Sequence, residues 1–165
     1  MEKPHISKLI FKRLSAGGSA DMAVDGSSTA VKFKWTSPVG KAAEIMRINF
    51  VIVDGGIGYG EFGGLGSALT NGLLVQVFDV NDNELVDFLD GNPIKTNEQF
   101  GYLAGADAIS LPAAGDDSFH VRWTLSKAAN QSIALDAGDY IQVTVRDNLS
   151  ALSDFGAMIQ GFYRD

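Results

Sequence analysis

Apolar and polar residues take turns, one by one, in several short blocks of this chain. A two-residue period is what a strand with one buried and one wet face imposes. Val31, Phe33 and Trp35 alternate with Lys32 and Lys34, and Met46, Ile48, Phe50 and Ile52 alternate with Arg47, Asn49 and Val51. Further on, Phe119, Val121, Trp123 and Leu125 alternate with His120, Arg122 and Thr124, and Ile141, Val143 and Val145 with Gln142, Thr144 and Arg146. The apolar members are mostly β-branched or aromatic, the side chains that suit a pleated surface. A helix would bring its apolar residues back at three and four positions, and only residues 97–103 and 150–154 offer even a turn or two of that.

Turn chemistry separates the blocks. Residues 73–80 and 85–89 flank Asn81, Asp82, Asn83 and Glu84, and Asn and Asp tolerate the left-handed backbone of tight turns, so a hairpin is predicted here. Residues 6–11, 132–135 and 157–163 add further strands, for about eight to ten in all, the density of an antiparallel β-sandwich or barrel. Pro4, Pro38, Pro93 and Pro112 fall between the predicted strands, where a missing N–H does little harm. The 19 glycines among 165 residues exceed an average usage of about 7% and point to many turns. With no internal repeat and no low-complexity linker, residues 1–165 are expected to form one domain, large enough to bury about 70% of the surface its unfolded chain exposes.

Composition closes off several chemistries. The chain has no cysteine, so it has no disulfide framework, thiolate metal site or cysteine nucleophile. No apolar run approaches the roughly 18 residues of a membrane span, and the first eight residues lack the apolar core of a signal peptide, so a soluble protein is expected. The net charge of −7 is unevenly placed: Lys3, Lys8, Lys12 and Arg13 against Glu2 give +3 in the first 13 residues, leaving −10 for the rest. An acidic body repels phosphate backbones, so neither nucleic acid nor membrane is an expected partner. The basic start is either a solvated tail or edge strand, or an arm that docks on an acidic partner through Lys3, Lys8 and Lys12.

Residues 58–63 spell a literal G-x-G-x-x-G straight after an apolar run. A dinucleotide fingerprint also needs a helix behind those glycines, whose free N–H groups would hold pyrophosphate. About nine residues separate Gly63 from the next strand, and Gly64, Gly66 and Gly72 are among them, so a connector is the expectation. Its large side chains, Tyr59, Phe62 and Leu65, are either tucked under the loop or offered to a neighbour. Asp79, Asn81 and Asn83 imitate the start of a calcium loop, but Glu84 stands where glycine is needed and Asp90 where a bidentate Glu is needed. Asp116, Asp117, Asp136 and Asp139 are expected as further loop carboxylates. Two histidines, His5 and His120, cannot build a multi-histidine metal site, and no G-x-S-x-G elbow is present, so neither a cofactor nor an enzymatic activity is expected.

The last third carries a pattern: Leu135-Asp-Ala-Gly-Asp139, the alternating strand 140–145, Asp147-Asn-Leu-Ser-Ala-Leu152, and Gln160-Gly161 near the end. With residues 29–35, 38–41, 69–74 and 93–97, it resembles the small β-sandwich structural proteins of tailed bacteriophage particles. The L-x-A-G-D turn also resembles that of trimeric jelly-roll heads of other origins. The resemblance implies a jelly-roll sandwich in the virion, made in the host cytoplasm, as a head decoration or cement protein or a tail or fibre accessory. Its partners would be copies of itself, as a trimer, and other virion proteins such as the major capsid protein. A carbohydrate- or receptor-binding module is the alternative, marked by Tyr59, Phe62, Phe100 or Tyr102 exposed together as a stacking platform.

Overall fold

The alternating blocks do form strands, and they pair without exception in the antiparallel sense. The computed structural model describes residues 9–14, 24–53, 62, 65–96, 107–113, 116–124, 132–152 and 154–164. Ten strands run through them: β1 (Leu9–Leu14), β2 (Val31–Thr36), β3 (Ala42–Val53), β4 (Leu73–Phe78), β5 (Glu84–Asp87), β6 (Asp107–Ala113), β7 (Asp116–Thr124), β8 (Ile133–Leu135), β9 (Tyr140–Val145) and β10 (Asp154–Arg164). The larger sheet has the order β1-β10-β3-β7-β6, with β8 pairing β3, and the smaller one has the order β2-β9-β4-β5. No α-helix occurs among the described residues; residues 150–152 make only a turn, with the Leu152 N–H donating to the Leu149 carbonyl at 3.0 Å.

The sheets meet face to face through their apolar rows. Phe33 of β2 and Phe155 of β10 approach to 5.7 Å between ring centroids, Phe50 lies 6.4 Å from Phe155, and Trp35 lies 6.5 Å from Tyr163. Ile48, Val75, Val77, Ile141, Val143 and Ile159 fill the space between them. Each such side chain, fully buried, stabilises the fold by roughly 1.5–3 kcal/mol, so this seam is what holds two otherwise separate sheets together.

The two-residue register shifts at two bulges among the described strands, one in the β4–β5 pair between Val77 and Phe78 and one beside β3. The β10–β3 register shifts between Gln160 and Gly161, so that Gly161 faces Ile45 while Gln160 faces Arg47. A Cβ on Gly161 would overlap the Glu44 carbonyl oxygen, and glycine is what lets the two backbones close here. One consequence concerns Met46, expected in the inward set: the shift gives that place to Ile45, which is fully buried, and leaves Met46 half-buried.

Two other expectations are corrected. Pro112 lies inside β6, opposite Asp117, rather than between strands; β6 is the outermost strand of its sheet, where a missing N–H deprives no neighbour. Asp116 and Asp117 accordingly belong to β7 and not to a loop. The glycine-rich segment between β3 and β4 lies mostly outside the described residues; it follows a strand of the larger sheet and precedes one of the smaller, and among the described strands no parallel pair exists for a dinucleotide fold to use.

Candidate functional site

β9 has β2 on one side and β4 on the other, so both of its edges are paired. Ile141, Val143 and Val145 enter the core, but Gln142 and Thr144, expected on a wet face, are only 5% and 6% exposed. The register explains this: Lys34, Gln142 and Gln76 share one row across the sheet, and Thr36, Tyr140 and Phe78 the next. Long neighbours on both flanks roof the central strand, and Gln142 Nε2 donates to Thr144 Oγ1 at 2.9 Å.

Tyr140 is the centre of the second row. Phe78 stacks on it at 5.1 Å with the planes 21° apart, and the Lys34 ammonium sits 3.3 Å from its ring centroid, an attraction of about 0.5–2 kcal/mol. Its hydroxyl donates to Asp82 Oδ1 at 2.7 Å. Burial, reinforced by the Asp82 hydrogen bond and by the charges of Asp82 and Asp79, pushes this hydroxyl up to about 12. At neutral pH it is a fixed donor.

Three turns gather at this end of the sandwich. In the β4–β5 turn, Asp79 Oδ1 accepts from the N–H groups of Asn81 and Asn83 at 2.8 and 2.9 Å, and Oδ2 accepts from Asn83 Nδ2 at 2.8 Å. The Asn83 amide, through its side chain and then its backbone, holds the Asp79 carboxyl below its ordinary range. Asp82 takes a positive φ of 64°, as an Asn or Asp in a tight turn can. In the β8–β9 turn, Asp139 Oδ2 accepts from the Asp136 N–H at 2.9 Å, and Gly138 has a φ of 93°. The third turn joins it: the Ser37 N–H donates to the Asp139 carbonyl at 2.8 Å and the Gly138 N–H to the Ser37 carbonyl at 3.1 Å. These carboxylates therefore serve turns, and among the described residues no group of three or more His, Asp or Glu is placed to hold a metal ion.

A second clamp sits where β9 ends. The Asp147 carboxylate, 8% exposed, accepts from the N–H groups of Thr70 at 2.8 Å, Asn71 at 3.1 Å and Gly72 at 2.7 Å, which fixes the approach to β4. Arg146 returns donors to the carbonyls of Asn71 and Gly72, and Asn71 Nδ2 donates to the Arg146 carbonyl at 3.1 Å. Asp147 also lines an open depression of about 210 Å³ with Leu65, Leu69, Thr70 and Asn148, but its oxygens already face three amides.

Of the six residues proposed from sequence as a contact surface, Lys12, Phe62 and Leu65 are described. Phe62 takes the tucked alternative: it is fully buried in the core, so it is not an exposed anchor. Leu65 is half-buried against the same core. Lys12 is exposed on β1, and Lys3, Lys8 and Tyr59 lie outside the described residues, as do His5, Phe100 and Tyr102. Sequence reasoning missed the Lys34–Tyr140–Asp82 cluster; its signal was the Asn-Asp turn facing an L-x-A-G-D corner that leads straight into Tyr140. No family model matches the chain, and no curated protein or solved structure matches it. The fold and these residues define a class: an antiparallel two-sheet β protein whose described polar clusters bind its own turns together.

Proposed function

We propose that this chain is a jelly-roll β-sandwich and a structural component of a tailed-phage particle, a head decoration or cement protein or a tail or fibre accessory. It works through protein–protein contacts, as a trimer of identical chains seated on other virion proteins, and is made in the host cytoplasm before assembly. The observation that carries the jelly-roll reading is strand order. Within the sheets, β1-β10-β3-β7 faces β2-β9-β4-β5, so early strands pair with late ones as in two Greek keys rolled together. The virion role is supported by the L-x-A-G-D and D-x-L-S-x-L segments, which resemble those of phage particle proteins and which here clamp turns and hold no reacting group. The carbohydrate-binding alternative loses one of its four platform aromatics, since Phe62 is buried.

Imaging of particles assembled with and without the protein tests the role, and sedimentation tests the trimer. Density at symmetry-related positions that vanishes with the protein is the expected result. Particles that neither contain nor need the protein would overturn the role.

A further inference from the structure

The smaller sheet ends in two strands of opposite charge. β2 carries exposed Lys32 and Lys34, while β5, Glu84-Leu85-Val86-Asp87, is bounded by carboxylates. Among the described residues nothing pairs with the outer side of either strand. All four charges lie on the outward face. Asp87 stands opposite Gln76, Gln76 opposite Gln142, and Gln142 opposite Lys34; Glu84 joins the set by accepting from Gln76 Nε2 at 2.6 Å. Between the carboxylates, Leu85 and Val86 are 53% and 42% exposed, unusual for aliphatic side chains on a strand.

We propose that β5 of one copy of this chain pairs with β2 of the next, continuing the smaller sheet from subunit to subunit in a closed ring; the inference rests on the homo-oligomer reading above. Direction is favourable. Strands alternate along the sheet, and four is an even number, so β5 runs opposite to β2 and the next copy arrives antiparallel with its outward face still outward. The rows then continue across the joint. In the register that sets Asp87 beside the next copy's Lys34, Glu84 stands beside Thr36, one step along from that lysine, as these residues are aligned within each sheet. Leu85 and Val86 are covered by the six-residue partner strand.

Pairing of like edges is disfavoured by the same charges. Two β5 strands related by a two-fold axis would set Glu84 against Asp87, and two β2 strands centred on Phe33 would set Lys32 against Lys34. The contact is therefore heterologous, and a heterologous contact in which the rotation closes makes a ring.

Sedimentation equilibrium on four folded chains decides the matter. Wild type is expected to associate, whereas Lys32→Glu with Lys34→Glu, or Glu84→Lys with Leu85→Lys, should each weaken self-association by about tenfold or more through like-charge contact. Asp87 is left alone because its oxygens accept from the N–H groups of Leu89 and Gly91, both at 2.9 Å. A chain carrying all four substitutions has its edges exchanged in sign and should recover association. If both double variants associate like wild type, or if the exchanged chain fails to recover, the edge contact is wrong although the homo-oligomer stands. A wild-type chain that stays monomeric at about 100 μM removes both readings.

Discussion

Replacing Asp147 by alanine takes one carboxylate away from three backbone N–H groups at once. Gly72 is buried, so its amide bears the desolvation penalty of a donor left without an acceptor, about 1–3 kcal/mol. Thr70 and Asn71 are exposed, water can reach their amides, and each loss should cost only the net worth of an ordinary hydrogen bond, about 0.5–1 kcal/mol. The total is about 3 kcal/mol. For a domain of this size that corresponds to a fall of about 6–12 °C in Tm. Asp147→Asn keeps the shape and one acceptor oxygen but turns an NH₂ toward amide N–H groups, so it should lose most of the same stability. Urea denaturation is the assay, because a changed midpoint at constant slope reports stability alone. A loss below about 1 kcal/mol for Asp147→Ala at unchanged slope would show that the carboxylate does not hold the approach to β4.

Tyr140 should titrate above the ordinary tyrosine range, near 12, in an absorbance titration; its raised value favours the neutral phenol in the fold. The stability this confers is therefore complete below the unfolded pKa of about 10 and is lost as pH rises toward the folded value. Tyr140→Phe should flatten that alkaline loss, and an unchanged profile would count against the Asp82 contact. Gly161→Ala should destabilise by about 3 kcal/mol or more, since backbone and not a pliable side chain is in the way, and a variant as stable as wild type would mean the bulge is elsewhere. Calcium and chelator should leave Tm unchanged, because the Asp79 oxygens already serve Asn81 and Asn83; a rise of several degrees with calcium would overturn this. Lys12→Ala should alter folding stability by no more than about 0.5 kcal/mol in a denaturation curve, its side chain being exposed on β1.

Alternation made β2, β4, β7 and β9 legible because each keeps one phase from end to end. β6 escaped notice for a physical reason: Asp107-Ala-Ile-Ser-Leu-Pro-Ala113 contains a proline, and only its place at a sheet edge makes that tolerable. Edge position is a property of the assembled sheet. The Gln142 and Thr144 side chains misled in the opposite direction, since polarity predicts water but the reach of Lys34 and Gln76 decides cover. Turn chemistry was readable down to the Asp79 hairpin and the Gly138 corner. What those corners do together, passing hydrogen bonds from Ser37 to Asp139 and from Tyr140 to Asp82, depends on residues about 60 to 100 positions apart that only folding brings side by side.

The pairing of β1 with β10 has a mechanical consequence. The two strands are antiparallel, with Leu9 opposite Phe162 and Leu14 opposite Ala157, so the start of one and the finish of the other lie at the same corner. Tension applied between Leu9 and Arg164 would act across the ladder and open its rungs one after another, as a zip opens, and would never load all six pairs together in shear. A ladder that contributes to equilibrium stability along its whole length thus resists pulling with the strength of a single rung, and tethers at those two points would peel the larger sheet from its rim.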